Sequence, residues 1–594
     1  MQRFDLRTTA TQQTIGWFLV ISMMILYAVI MSHLTMLRYE TFKATAFDLG
    51  NMDQAVWNTL HGRPFQFTNQ GDNWYGPPTR LAQHVEPIIL PLSLLYLIHA
   101  DPRTLLVFQS LVLATGALPV FLLTRKHLPT MPLLAPTMAA AYLLMPALIG
   151  VNVYDFHPVA IATPLLLYAV LALTYKRYFW FVLTCILASS CKEEVPTVVA
   201  MLCLLVIWKY KLPRLGTMLF IGGISWTLIA FLLIEPHFSG AQHNNFWYRY
   251  AYLGSTPQEG LLNILRQPWI FFQTFVTTDR FYYLFNLFRS TGFLALLAPE
   301  WLLPTLPNFA INLLSGDKLL YSGAYQYNAP LIPFIMLSAI HGAERLLALW
   351  HQWRGETAEG LYVKALTDPI YTPKVTATKA NTGEIKGPQG THKGCPYNGT
   401  NRPVMGVRTI VRASLVGTLR WIERLISLLL SLVGALRLSF ARSTVVARPL
   451  GLLEPGITTL RHTGKRHWQR FSERMTDLAK TIPFPRLQWY LCLWISVMIG
   501  LNLIMMQPKI NGLLADHEPS SREQHIQQLL DMIPPDAPVA AGSTLNPHLS
   551  ERRYITVFPT TYFSSAQEGI YNTVQYIIVD LDELFPEDKV SAAK

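Results

Sequence analysis

IGWFLVISMMILYAVIMSHL, residues 15–34, is an apolar run of 20 residues without Asp, Glu, Lys or Arg. An α-helix needs about 20 such residues to cross the hydrocarbon core of a bilayer. The run is longer than the apolar segment of a signal peptide, and no small-residue cleavage site follows it. We therefore predict a retained membrane span that is preceded by a cytoplasmic N-terminus.

Similar apolar runs recur along the chain, which is 51% hydrophobic and only 14% charged. Soluble domains contain about 25% charged residues. Basic residues concentrate in alternate turns, at 125–127 (RKH), 175–177 (YKR) and 209–211 (KYK), as the positive-inside rule requires of cytoplasmic turns. We predict an all-α polytopic protein of the cytoplasmic membrane with about eleven transmembrane helices. This topology accounts for the net charge of +12, so we expect no nucleic-acid partner.

The transmembrane core is predicted to occupy residues 1–350. Within it, residues 35–102 form a long outer loop between the first and second spans. Residues 282–298, 301–314 and 331–350 are the last three apolar runs of this core, and each is interpreted as a span, although prolines lie close to the first two.

The remainder of the chain changes in composition. Residues 351–487 are rich in Gly, Pro, Thr and Lys, which predicts a basic, cytoplasmic and largely disordered insertion. Residues 414–438 within it indicate an amphipathic helix that binds membrane lipids at the inner leaflet, with a full span as the alternative. Residues 488–507 form the last predicted span. Residues 508–594 predict a small extracytoplasmic α/β tail, with a helix near 521–532 and strands in RRYITVF and VQYIIVDL.

Two carboxylates follow the first span, in FDLGNMDQ at residues 47–54. Ionisable residues beside membrane spans are expensive to bury, so each is a functional candidate. Asp48 either caps the helix that begins after it or acts as a general base or cation ligand. Asp53 is the alternative for the same catalytic role.

Two further polar clusters are predicted to face the same side of the membrane. TRLAQHVEP at residues 79–87 contains Arg80, a candidate phosphate ligand, together with His84 and Glu86. His84 and Glu86 are candidate metal ligands or a proton relay, unless they form only a polar rim at the headgroup level. Asp155 and His157 in YDFHP are candidate ligands of a divalent cation.

A fourth cluster follows the fifth predicted span. Lys192, Glu193 and Glu194 form either a solvated turn or a charged group that faces the same cavity, with Lys192 as a phosphate ligand. Arg249 is a weaker candidate for contact with a phosphate or a sugar. Tyr327 is a candidate for stacking on a sugar ring, although such tyrosines often anchor a protein at the membrane interface.

Several of these segments resemble a known family. FDLGNMDQAVWNTLHGRPF, YDFHPVAIATPLLL, KEEVPTVV and LPNFAINLLS are similar to a family of predicted prokaryotic membrane proteins with a domain of unknown function. One span, a long loop that opens with an acid, and an acidic second turn also resemble the GT-C superfamily of polytopic glycosyltransferases. The resemblance covers about residues 15–350 and 489–590. No Walker, dinucleotide-binding, GxSxG or zinc-protease motif accompanies it.

The resemblance implies transfer of a sugar from a polyprenyl-phosphate donor to an acceptor on the outer face of the membrane. It places the general base at Asp48, with Asp53 as the alternate. It also implies that Asp155 binds a divalent metal such as Mg²⁺ or Mn²⁺, with His157 where many relatives have a second acid. Without a metal, Lys192, Arg249 or Arg80 would supply the positive charge.

Two other functions compete with this one. A transporter or flippase would use the same charged residues as a substrate or proton path. A non-catalytic scaffold would use the tail to bind a partner. Inverted internal repeats would favour transport, and we find none that is convincing in the sequence.

Overall fold

The computed structural model describes residues 6–69, 79–240, 245–355, 484–514, 519–559, 562–565 and 570–582, with five isolated positions between 473 and 481. Most of the predicted insertion at 351–487, including the amphipathic helix at 414–438, lies outside these residues. The chain forms two compact units, of which the larger comprises residues 1–346 and 485–594. All contacts described below lie within this larger unit.

The described residues are mostly helical. The α-helices are α1 (Leu6–Glu40), α2 (Asn51–Leu60), α3 (Ile89–Leu92), α4 (Pro102–Thr115), α5 (Ala117–His127), α6 (Leu134–Leu143), α7 (Pro146–Val153), α8 (Pro158–Thr174), α9 (Tyr178–Ser189), α10 (Val195–Lys209), α11 (Pro213–Ile229), α12 (Glu235–Ser239), α13 (Pro257–Arg266), α14 (Pro268–Phe275), α15 (Thr278–Arg289), α16 (Leu306–Leu314), α17 (Ile332–Trp353), α18 (Phe484–Leu514) and α19 (Ser521–Leu530).

Five helical segments are long and apolar enough to cross a membrane, which confirms a polytopic helical membrane protein. They are Thr11–Glu40, Pro102–His127, Pro213–Ser239, Ile332–Trp353 and Arg486–Met506. A sixth candidate is the pair α6 and α7, which is bent by 42°. The apolar helices α8, α9 and α10 have 17, 12 and 15 residues, fewer than the roughly 20 that a straight span requires. The part of the chain that the structure describes therefore contains five or six candidate spans by length and composition, against the eleven predicted for the whole chain.

The predicted span at 282–298 is wrong as a continuous helix, and residues 301–314 are helical but begin as 3₁₀ rather than α-helix. Helix α15 ends at Arg289, and the left-handed residues Gly292 (φ 60°) and Phe293 (φ 61°) turn the chain. Short 3₁₀ turns follow before α16, which has only nine residues. Proline removes a backbone donor and disfavours a helical residue before it, so the prolines at 299, 304 and 307 keep this segment from forming one helix.

The C-terminal tail contains the predicted small α/β element. Helix α19 begins with a capping box formed by Ser520 and Glu523. Strands β1 (Val539–Ala541), β2 (Ile555–Val557) and β5 (Tyr576–Ile578) form a parallel sheet in the order β2-β1-β5. Strands β3 (Tyr562–Ser565) and β4 (Ile570–Thr573) form an antiparallel pair. The sequence predicted α19, β2 and β5 but missed the three others.

The tail packs against the first loop, which we define as residues 41–101. Phe42, just after α1, belongs to the same buried apolar cluster as Leu530, Val539 and Ile555 of the tail. The tail and the start of the first loop therefore lie on the same side of any membrane that α1 crosses. This packing positions the residues of the site described next.

Candidate functional site

Asp48 lies in a π-helical turn, Ala46–Gly50, immediately before α2. Tyr154 donates its hydroxyl to the Asp48 carboxylate at 2.7 Å, and Thr45 donates its own at 3.2 Å. His157 Nε2 lies 3.2 Å from the other carboxylate oxygen. Asp48 does not cap α2, because the residue in the capping position is Gly50. We call Asp48, Thr45, Tyr154 and His157 the Asp48 cluster.

The Asp48 carboxylate is held in its ionised form. Burial alone would raise the pKa of Asp48. The hydrogen bond and charge of His157, together with hydrogen bonds from Tyr154 and Thr45, instead lower the pKa to about 2. The side chain is nevertheless 25% exposed. His157 Nδ1 is buried and has no hydrogen-bond partner among the described residues. The cluster therefore combines a stable anion with a buried ring nitrogen that has no described hydrogen-bond partner.

The turn that carries Tyr154 and His157 is held by Gln109, a buried residue of α4. The Gln109 amide donates to the carbonyl oxygens of Asn152 and Asp155, each at 3.1 Å. The backbone N–H of His157 donates to the Gln109 side-chain oxygen at 3.0 Å. A side chain of a predicted span thus fixes the position of the turn and its two functional candidates.

Asp155 supports the turn from inside. It is only 1% exposed, and it accepts from Arg38 Nε at 3.3 Å and from the backbone N–H of Thr45 at 3.2 Å. Burial raises its pKa, although the charge of Arg38 opposes this effect. Both oxygens of Asp155 are therefore engaged by described donors, Arg38 and the backbone N–H of Thr45.

A second group of charges lies near the Asp48 cluster. Lys192 Nζ pairs with Glu194 at 3.1 Å and lies 5.8 Å from the centre of the Tyr327 ring. Arg249 donates to the Tyr327 hydroxyl at 3.3 Å, and its Nε lies 3.4 Å from Asp317. We call Lys192, Glu194, Arg249 and Tyr327 the Lys192 cluster.

Lys192 remains charged although it is 8% exposed. Burial lowers the pKa of its amine, but the nearby Glu194 and Glu193 outweigh burial and raise the pKa. A buried ammonium beside an aromatic ring is suited to an anionic group of a ligand.

A short segment connects the two clusters. The Tyr154 ring meets the Tyr325 ring edge to face, with centroids 4.5 Å apart. Tyr325 lies two residues before Tyr327. It directly precedes a 3₁₀ turn, Gln326–Asn328, and Tyr327 lies within that turn. Burial is the main effect that raises the pKa of Tyr327, and the negative charge of Asp48 also raises it. The structure therefore brings Asp48, His157, Lys192, Arg249 and Tyr327 to one region.

His84 and Glu86 each contact a different charged side chain. His84 Nδ1 lies 2.9 Å from Glu193, and Arg80 donates to Glu86 at 2.7 Å. Burial, with the charge of Lys192, lowers the pKa of His84 to about 3, so this imidazole is neutral. Burial raises the pKa of Glu193. These side chains support the first loop beside the Lys192 cluster.

Asp53 occupies a different environment from Asp48. It is fully buried and accepts hydrogen bonds from Tyr96 and from Ser550 of the tail, the latter at 2.6 Å. Burial is the main effect that raises the pKa of Asp53 well above its ordinary range, and the charge of Glu551 adds to it. The protonated acid joins α2 to the tail and is not exposed to a substrate.

Further amide contacts complete the junction between the loop and the tail. Gln54 donates to the carbonyl oxygen of Arg552 at 3.0 Å. Asn69 and Asn546 exchange two hydrogen bonds of 2.8 Å. The His548 ring stacks on Phe42 with centroids 4.0 Å apart. The tail is therefore a structural part of the wall that carries Asp48.

Four residues of this region were not predicted from the sequence. Tyr154, Thr45, Arg38 and Gln109 all contact a predicted candidate, yet none carries a recognisable motif. Tyr154 directly precedes Asp155, and Arg38 is the only basic residue in the last turn of α1. Gln109 is a polar residue inside an apolar run, which is the signal that could have identified it.

The fold and the site define a helical integral membrane protein with a charged site formed by its first loop, its short helical turns and a small α/β tail. A family described as "Predicted membrane protein (DUF2079)" matches residues 38–382 and 466–594. The chain belongs to this family. The match enters both ends of the predicted insertion and leaves residues 383–465 uncovered. No functionally curated protein matches the chain.

Proposed function

We propose that this protein is a membrane glycosyltransferase that moves a sugar from a polyprenyl-phosphate donor to an acceptor hydroxyl outside the cytoplasm. The observation that carries the proposal is that an ionised, partly exposed carboxylate, Asp48, lies in the same region as the cations of the Lys192 cluster. A GT-C-like arrangement of about eleven spans, with some of them short or broken, belongs to the same proposal. The proposal also includes the orientation, in which the N-terminus is cytoplasmic and the tail is extracytoplasmic.

The Lys192 cluster would bind the donor. Lys192 and Arg249 present two cations within reach of the same tyrosine, Tyr327. The phosphate of the lipid donor needs positive charge as it leaves, and preorganised cations in a water-poor site stabilise developing charge strongly. Tyr327 would pack against the sugar ring. The buried cations make a resident metal unnecessary in this scheme, and Mg²⁺ or Mn²⁺ is its alternative.

The Asp48 cluster would accept the proton. The acceptor oxygen attacks the anomeric carbon and forms the new glycosidic bond. The bond between that carbon and the phosphate oxygen breaks, and its electron pair stays on the phosphate. The hydroxyl proton passes to the Asp48–His157 pair. Because the Asp48 pKa is about 2, the carboxylate is a weak base alone, and it would act as a pair with the His157 ring, whose Nε2 lies 3.2 Å away.

The test is turnover of a panel of polyprenyl-phosphate sugars by the purified protein. General-base contributions are typically about 10²–10⁴-fold, so Asp48→Asn should lower kcat at least a hundredfold. The matched control is Asp279→Asn, because Asp279 is 59% exposed and pairs only with the exposed Lys318 among the described contacts. Equal turnover by wild type and Asp48→Asn would remove Asp48 from the mechanism.

Two further measurements separate the alternatives. Turnover that survives chelation would support the cationic scheme, whereas loss that Mg²⁺ or Mn²⁺ restores would support a metal. If the wild type turns over no donor, the glycosyltransferase proposal fails. Movement of a lipid-linked substrate across liposomes would then support the transporter.

A further inference from the structure

His127, His341 and Glu344 form a separate group of potential metal ligands. His127 is the last residue of α5, and His341 and Glu344 lie on α17. His341 Nδ1 lies 2.9 Å from Oε2 of Glu344, and His127 Nδ1 lies 3.4 Å from the same oxygen. One ligand atom from each residue lies within 4.8 Å of the other two. Among the described residues, no other group of three such ligands is as close.

We propose that these three side chains bind one divalent transition-metal ion of the zinc class. Two imidazoles and one carboxylate form a common zinc ligand set, and the two imidazole nitrogens do not suit the all-oxygen shell of Ca²⁺ or Mg²⁺. This site is independent of the proposed glycosyl transfer.

The distances already approach those of a metal site. Zinc bonds to histidine nitrogen and carboxylate oxygen are about 2.0–2.2 Å, so neighbouring ligands in a tetrahedron lie about 3.3 Å apart. The two measured distances to Glu344 are close to this value on either side. Small side-chain rotations would therefore bring the three ligands around one ion.

The spacing along α17 also favours a shared ligand. Residues three apart on a helix lie on the same face, which puts His341 and Glu344 side by side toward His127. Trp301 stacks on the His341 ring, with centroids 4.0 Å apart and planes 4° apart, and fixes its orientation. An oriented ligand loses less freedom when an ion binds, as in metal sites with a supporting outer shell.

The three side chains remain accessible to an ion. His127, His341 and Glu344 are 22%, 12% and 33% exposed. Lys209 and Arg345 both pair with Glu300, which reduces their repulsion of a metal. A simple ion pair between helices would need only one histidine. The approach of two imidazoles to a single carboxylate oxygen is the arrangement expected of a metal site.

This site is remote from the Asp48 cluster. Gln109 of α4 contacts the turn that carries His157, and His127 lies 18 residues further along α4 and α5. At 1.5 Å per helical residue, this separation is about 27 Å. In the proposed orientation the site faces the cytoplasm, where an ion would link the end of α5 to α17.

The test measures zinc in the purified full-length protein after treatment with chelator and reloading with Zn²⁺ alone. We expect about one zinc per chain in the wild type. His127→Gln should weaken binding at least tenfold, and the double variant His341→Gln/Glu344→Gln should abolish it. His99→Gln is the matched control, since His99 is exposed and outside the group. Equal zinc content in the wild type and the double variant would overturn the proposal.

X-ray absorption of the wild-type zinc complex keeps the proposal falsifiable even if a variant does not fold. Nitrogen and oxygen ligands lie at about 2.0–2.2 Å, whereas a thiolate lies at about 2.3 Å. A first shell of nitrogen and oxygen alone supports the His127–His341–Glu344 site. A sulfur ligand, or a wild type that retains no zinc, overturns it.

Discussion

At the scale of single residues, the two acids of FDLGNMDQ show how similar positions acquire different chemistry. Asp48 is ionised and partly exposed, since Tyr154, Thr45 and His157 stabilise its charge. Asp53 is fully buried, and burial raises its pKa. The two acids are only five positions apart, yet partners from distant parts of the chain determine which one is ionised and exposed.

Asp53 has a consequence for stability that pH should reveal. Its pKa is raised in the folded protein, so the folded state keeps a proton that the unfolded chain releases above a pH of about 4. Stability therefore falls as pH rises from this value through the folded pKa. Asp53→Asn should remove this dependence, because the amide is neutral at every pH. We expect a smaller difference in Tm between pH 5 and pH 8 than in the wild type.

The comparison uses thermal unfolding in detergent at both pH values. Asp279→Asn, which changes an exposed acid, should keep the wild-type difference. If Asp53→Asn loses stability equally at both pH values, Asp53 is ionised in the folded state and the assignment is wrong.

At the scale of elements, Gln109 makes helix α4 part of the site. Its side chain satisfies two buried carbonyls and one N–H of the turn after α7. A buried polar group left without its partner costs about 1–3 kcal/mol, so Gln109→Ala should destabilise the fold by a similar amount. It should also lower turnover more than tenfold, because Tyr154 and His157 lose their position. The loss of stability is measured as a change in Tm, and the loss of turnover by steady-state kinetics.

Gln267→Ala provides the comparison, because Gln267 is an exposed glutamine at the end of α13. Wild-type turnover in Gln109→Ala would show that the turn holds its shape without α4, and the positioning role would fail.

The elements also show which parts of the fold are predictable from sequence. The long apolar helices follow from composition, because a run of about 20 apolar residues is a local signal. The turn at Gly292 and Phe293 lies inside the span predicted at 282–298, because an apolar, aromatic segment resembles a span whatever its backbone does. Strand β1, three residues long, carries no alternation that a pattern could detect. The Asp48–His157 contact joins residues 109 apart, which no local pattern encodes.

At the scale of the whole molecule, the packing of the tail on the first loop predicts a shared side of the membrane. Single cysteines at His61 and Met532 should react together with a membrane-impermeant maleimide, because both positions are exposed. In intact cells and a cysteine-free background, the proposed orientation predicts labelling of both. Lys126→Cys should react only after permeabilisation.

Different outcomes of this labelling have distinct meanings. Reaction of one cysteine in the pair without the other would contradict the packing of the tail on the loop. Reaction of Lys126→Cys alone in intact cells would reverse the orientation and move the Asp48 cluster to the cytoplasm.

The junction between the first loop and the tail has a consequence for how the protein is made. Asn69 finds its partner Asn546 only 477 residues later in the chain. At a synthesis rate of about 5–20 residues per second, the ribosome needs roughly 25 to 95 s to cover that distance. During this time the buried amides of the loop and the ring of Phe42 have no tail to meet. A chain that stops early therefore inserts its helices but leaves the wall around Asp48 unfinished.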